Sequence, residues 1–114
     1  MRLILIAIVL TSIPSFALGH TKFVSSFPEA GSTQSATLRQ IDFAFDEPFV
    51  LAVIKLINES TGFNKMYRNK NTDRKTAHRV SIEPLPTGSF TLEWRGLAKD
   101  GHVISGTFEF SVKN

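Results

Sequence analysis

The sequence predicts an all-β domain, an antiparallel sandwich or barrel, behind an export signal. Short runs of alternating apolar and polar residues recur between Pro- and Gly-rich turn signals, at a spacing of about 8–12 residues. After the signal no stretch carries the periodicity of an amphipathic helix. Ten Phe, nine of them after the signal, and no Cys leave a packed aromatic core, not a disulfide framework, to hold an exported domain together.

The elements follow in chain order. Arg2 opens a positive n-region, Leu3 to Leu10 form an apolar h-region, and Thr11 to Gly19 supply a Pro and small residues. The apolar run is too short to cross a membrane as a helix. Ala17-Leu18-Gly19 is a small-x-small cleavage site that leaves His20 first, while Ser15-Phe16-Ala17 competes and leaves Leu18 first. The expected division is therefore a signal peptide over 1–19 and one domain over 20–114.

Thr21–Ser26 reads as a first strand, and Pro28-Glu29-Ala30-Gly31 as a turn followed by a Ser/Thr-rich loop. Leu38–Phe45 reads as a second strand with Ile41, Phe43 and Phe45 on one face. Glu47 keeps that inward parity where Pro48 ends the strand, so it is expected at the rim of the core. Phe49–Ile57 is a third, nearly continuous apolar strand. Glu59–Ala77 is polar and basic and reads as a long solvated loop, with a short strand near Met66-Tyr67.

His78–Glu83 alternates through Val80 and Ile82, and His78 itself is expected at the surface or rim. Ser89–Arg95 points Phe90, Leu92 and Trp94 inward. After the loop Leu97–Gly101, His102–Val112 closes the chain with Ile104, Gly106, Phe108, Phe110 and Val112 on one face.

Charge excludes little but does exclude a nucleic-acid footprint. The net charge is +3, dropping to +2 once Arg2 leaves with the signal, and the aromatics alternate as a core does and not as base-stacking platforms do. The sequence lacks G-x-S-x-G, H-E-x-x-H, a P-loop and any Cys nucleophile, so hydrolase signatures are missing.

The chemistry-bearing residues are Asp100-Gly101-His102 and, far upstream, His20. In extended backbone, residues two apart project to one side, which brings a carboxylate and an imidazole toward one point. D-G is also a common turn dipeptide, so this pair alone is a weak signal. Cleavage after Gly19 gives His20 two further donors, its free α-amine and its ring Nδ1, which close a chelate ring. With His102 and Asp100 the set is three nitrogens and an oxygen. That tetragonal N,O set suits copper(II) or nickel(II), and copper(II) tops the divalent affinity series.

Val24-Ser25-Ser26-Phe27-Pro28-Glu29-Ala30-Gly31, Phe43-Ala44-Phe45-Asp46-Glu47-Pro48, Gly88–Arg95 and Asp100–Phe110 together resemble the CopC copper resistance family, in family order across nearly the whole chain after the signal. The resemblance implies an Ig-like Greek-key β-sandwich of about seven antiparallel strands, located in the periplasm and binding copper(II). It implies His20, Asp100 and His102 as metal ligands. Glu47 stands where some members bring an acid near the metal. As partners it implies the copper ion and an inner-membrane copper transporter of the CopD type, with no nucleic acid.

Two departures stand out. Some members carry a Met-rich copper(I) loop, whereas here only Met66 remains after the signal and its surroundings are basic, so copper(II) alone is expected. Val103 stands where many members have Pro. The expected function is a copper(II) carrier or buffer for copper homeostasis and resistance, not an enzyme. The competing readings are a terminal-histidine copper oxidase or monooxygenase and a metal-free Ig-like interaction module. Export is expected to leave His20 as the first residue. The intact mass of the exported protein checks this, and a mass beginning at Leu18 would reject it.

Overall fold

The computed structural model describes residues 21–114; the expected signal, its cleavage point and His20 lie outside the described residues. Within them the chain forms seven strands and no helix: β1 (Phe23–Phe27), β2 (Thr33–Ser35), β3 (Gln40–Asn58), β4 (Phe63–Arg68), β5 (Lys75–Ser81), β6 (Gly88–Leu97) and β7 (Val103–Lys113). The architecture is the expected β-sandwich.

The sequence predicts two strands, 38–45 and 49–57, with a stop at Pro48; the structure has one strand through both. The reason is a change of partners. Up to Ala44, β3 lies between β1 and β5. From Val50 onward it lies between β6 and β4. Pro48 falls between these two sets, where no ladder partner is assigned, so its missing N–H breaks no cross-strand bond. The strand thereby belongs to both sheets, one of order β1-β3-β5 and one of order β4-β3-β6-β7-β2.

One pairing departs from the antiparallel expectation. β2 runs parallel to β7, with Thr33 opposite Ser111 and Ser35 opposite Lys113. Nothing apolar alternates in Thr33-Gln34-Ser35, which is why the segment reads as loop. It is held by backbone bonds that continue past its ends: Gly31 N–H donates to Glu109 O at 2.7 Å, and Ala36 N–H to Lys113 O at 3.1 Å.

The alternation in β3, β6 and β7 sets the core. Ile41, Phe43, Phe45, Phe90, Leu92, Trp94, Phe108, Phe110 and Val112 are all buried. Phe45 sits at the centre, 4.2 Å from Phe49 and 5.3 Å from Trp94 between ring centroids. Phe43 meets Phe108 edge-on at 6.3 Å. Each buried ring contributes about 1.5–3 kcal/mol relative to exposure, so aromatic burial carries a domain that has no cross-links.

Gly106 shows how tightly the sheets approach. It pairs with Trp94 across β6 and β7, and a Cβ there would lie 2.6–2.8 Å from three atoms of the indole. The ring cannot retreat easily, because Phe23 stacks against it at 5.8 Å and Phe45 packs edge-on. Gly106→Ala should therefore destabilise the fold by about 1–3 kcal/mol, as overpacked cores do. Urea unfolding checks this: the midpoint should fall with the slope unchanged.

Candidate metal centre

The β6–β7 hairpin ends its regular pairing at Leu97 and Val103. Beyond them Ala98 N–H donates to His102 O at 2.9 Å, and Gly101 N–H donates back to Ala98 O at 3.0 Å. Gly101 takes φ +85°, a left-handed conformation that Gly adopts without a Cβ penalty. This is the short hairpin closure in which a turn is followed by a left-handed bulge residue. The bulge takes the His102 amide out of the ladder, and Asp100 replaces its lost acceptor: His102 N–H donates to Asp100 Oδ1 at 3.0 Å.

The other carboxylate oxygen grips the ring. His102 Nδ1 lies 2.8 Å from Asp100 Oδ2. An ionised carboxylate only accepts, so Nδ1–H is the donor here, and Nε2 is the nitrogen that carries the lone pair in this tautomer. A carboxylate that fixes the tautomer and orientation of an imidazole is the usual support for a metal-binding histidine. The sequence puts Asp100 in the loop and uses extended-strand parity to bring it beside His102; in the structure it is the turn that folds Asp100 back onto its neighbour. The two side chains still meet, through their own hydrogen bonds. Both stand in solvent, His102 at 68% exposure and Asp100 at 41%.

Glu47 is exposed and lies three residues before Val50 in β3. Val50 pairs with Leu97, and Leu97 with Val103. Glu47 and the hairpin therefore share one end of the sandwich. The start of the described chain is tied to the same end: Lys22 N–H donates to Asp46 Oδ1 at 2.7 Å, and Asp46 N–H donates to Lys22 O at 3.1 Å. Among the described residues no three His, Asp or Glu side chains come together as a metal-holding group. His20 lies outside them.

Two residues depart from the sequence reading. His78 is buried at 7% exposure, not at the surface or rim. Its Nε2 lies 2.7 Å from Phe49 O and 2.9 Å from Lys75 O. Two carbonyl acceptors require Nε2–H to be the donor, which makes this nitrogen unsuited to a metal. Parity with Val80 in β5, and with Ile82 just beyond it, is the signal that places it inward.

Arg74 comes from the segment read as a long solvated loop. β4 and β5 each reach further than expected, which leaves only 69–74 between them. That stretch is tightened by its Asn side chains: Asn71 N–H donates to Asn69 Oδ1 at 3.2 Å and Asp73 N–H to Asn71 Oδ1 at 2.9 Å. At its end Arg74 Nη1 donates to Ala98 O at 2.9 Å, inside the hairpin turn.

Residues 23–113 match the family model described as the CopC domain. The chain belongs to the CopC family. A copper resistance protein C from Escherichia coli is 28% identical over 107 residues, spanning 85% of this chain and 84% of that protein. One from Pseudomonas syringae pv. tomato is 28% identical over 110 residues, spanning 89% and 86%. The crystal structure of CopC from Methylosinus trichosporium OB3b superposes with a TM-score of 0.71 at 23% identity, covering 82% of this chain and 94% of that one, which shows a shared fold. CopC proteins are binding proteins and not enzymes, and the chain stands with them.

Removing the His78 ring takes away both carbonyl contacts and opens a cavity beside Phe45 and Phe49, whose rings lie 6.0 and 6.4 Å away. His78→Ala should lower stability by about 2–4 kcal/mol. Chemical denaturation measures that loss, and the folded variant should still take up copper, because His78 is not among the ligands.

Proposed function

We propose that the chain, freed of residues 1–19, is a periplasmic copper(II) carrier or buffer serving copper homeostasis and resistance. The observation that carries the reading is the hairpin: a His102 ring held in one tautomer by Asp100, at the end of the sandwich where the chain's start is tied down. Lys22 is fixed to Asp46, and two residues of backbone reach at most about 7 Å. Lys22 is thus fixed at the end that carries the hairpin, and His20 precedes it by two positions in sequence.

In this reading His20 supplies its α-amine and ring Nδ1, His102 supplies Nε2, and Asp100 supplies an oxygen, a carboxylate having more lone pairs than its hydrogen bonds to His102 use. Glu47 stands at the same end as an outer carboxylate. The α-amine has a reference pKa of about 7.7–8.0, so a metal displaces its proton near neutral pH. A tetragonal N,O set without thiolate favours copper(II) over zinc, which prefers a tetrahedral set. The protein performs no bond chemistry on the ion. It captures it and hands it on, and an inner-membrane transporter of the CopD type fits as the acceptor. The names of the relatives, copper resistance proteins and, in Bacillus subtilis, a copper transport protein, support the copper assignment.

The terminal amine exists only after cleavage, so the site is complete only in the exported form. Adding one Met before His20 should weaken copper(II) binding by more than the roughly 10–100-fold that outer-shell changes cost, and His102→Ala should do the same. Competition against a chromophoric chelator measures both. An unchanged affinity in the Met-extended chain would reject the terminal-amine site. Copper(II) should also raise the melting temperature of the unextended chain, because it binds the folded state.

A further inference from the structure

We infer that Arg74 is a positioning residue for the metal hairpin, holding its turn in the shape that presents Asp100 and His102. The inference rests on the copper reading above. Asp100 and His102 are too exposed for core packing to fix them. The hydrogen bonds of the turn help to set their geometry, and its two backbone bonds meet at Ala98. Its N–H donates to His102 O and its carbonyl accepts from Gly101 N–H. Arg74, 24 residues away in sequence, adds a bond from outside the hairpin to that same carbonyl. A guanidinium donor makes a charge-assisted bond, stronger than one between neutral groups.

Arg74 is itself anchored. The next residue, Lys75, pairs with Phe49 in β3, and its carbonyl accepts from the buried His78 ring. A line of contacts therefore runs from the core histidine through the first residue of β5 to Arg74 and on to the turn. His78 also holds Phe49 O, at the point where β3 passes between the sheets. The turn is thus referenced to the interior and not only to its own two strands.

The role differs in sign from that of a bystander charge. A cation beside a copper(II) site repels the ion, so removing it should tighten binding. Removing a strap should loosen binding. One hydrogen bond to one carbonyl is within reach of an ammonium as well, so Lys should substitute where Ala cannot.

The test uses the chain beginning at His20, as wild type, Arg74→Ala, Arg74→Lys and, as a loop-charge control, Lys70→Ala. Copper(II) affinity by chelator competition, the copper(II) EPR spectrum, the metal-free melting temperature and amide exchange at Gly101 are compared. Arg74→Ala should weaken copper(II) binding about tenfold, as loss of outer support at metal sites does. It should broaden the EPR hyperfine lines and speed Gly101 exchange, with the metal-free melting temperature near wild type. Arg74→Lys and Lys70→Ala should resemble wild type.

Unchanged or tighter binding in Arg74→Ala, with normal wild-type binding, would overturn this proposal alone. A drop in metal-free stability large enough to explain the loss, with no rescue by Lys, would overturn it too. A wild-type chain that takes up no copper(II) would overturn the copper reading and this proposal together.

Discussion

One strand has to serve two sheets, and the rest of the molecule is arranged around that demand. β3 pairs with β1 as far as Phe45 and touches β5 last at Phe49, then joins β6 from Val50 and β4 from Val53. Asp46, Glu47 and Pro48, in the passage itself, have no ladder partner. Side chains take over: Phe45 and Phe49 pack at 4.2 Å across the passage, and the buried His78 ring donates to the Phe49 carbonyl. An open passage at this point would leave unpaired backbone groups beside the core, at a cost of about 1–3 kcal/mol for each group lost from water. The crossing also orders the functional end, because Asp46 ties down Lys22, Glu47 faces solvent there, and Val50 leads across the sheet to the hairpin.

The hairpin works by a different economy from the core. Its residues are exposed, and backbone geometry decides where they stand. A left-handed Gly101 shifts the ladder by one place, the orphaned His102 amide finds Asp100, and the same carboxylate turns the ring. The D-G-H sequence is thus at once a turn requirement and a donor arrangement. In the proposed copper reading, a residue type demanded by the turn stands where a metal can use it.

Much of this was legible in the sequence. The alternation of Phe90, Leu92 and Trp94 and of Phe108, Phe110 and Val112 places β6 and β7 with the faces they have. The D-G pair marks the turn, and His102 follows it. What stayed hidden has physical reasons. Pro48 reads as a terminator because sequence does not show that β3 exchanges neighbours there. β2 has no apolar pattern, since its stability comes from pairing with β7 and not from a buried face. Arg74 reads as a solvated loop charge, because its bond to Ala98 is set by how a six-residue connection, 69–74, folds back over the hairpin. His78 was within reach, since it shares parity with Val80 and Ile82, but a polar residue at a strand start suggests solvent. Glu47 was given rim parity, and the structure adds that its end of the sandwich is the hairpin's.

The exposure of His102 has a consequence for communication between molecules. In the proposed copper reading, a group that stands 68% in solvent, on a turn outside the aromatic core, gains or loses its ion without any strand having to shift. The empty and the loaded protein then have the same outline. A neighbour that must distinguish them has no change of shape to read, only the appearance of positive charge and the filling of donor positions at one tip of the molecule. Message and cargo would be the same object.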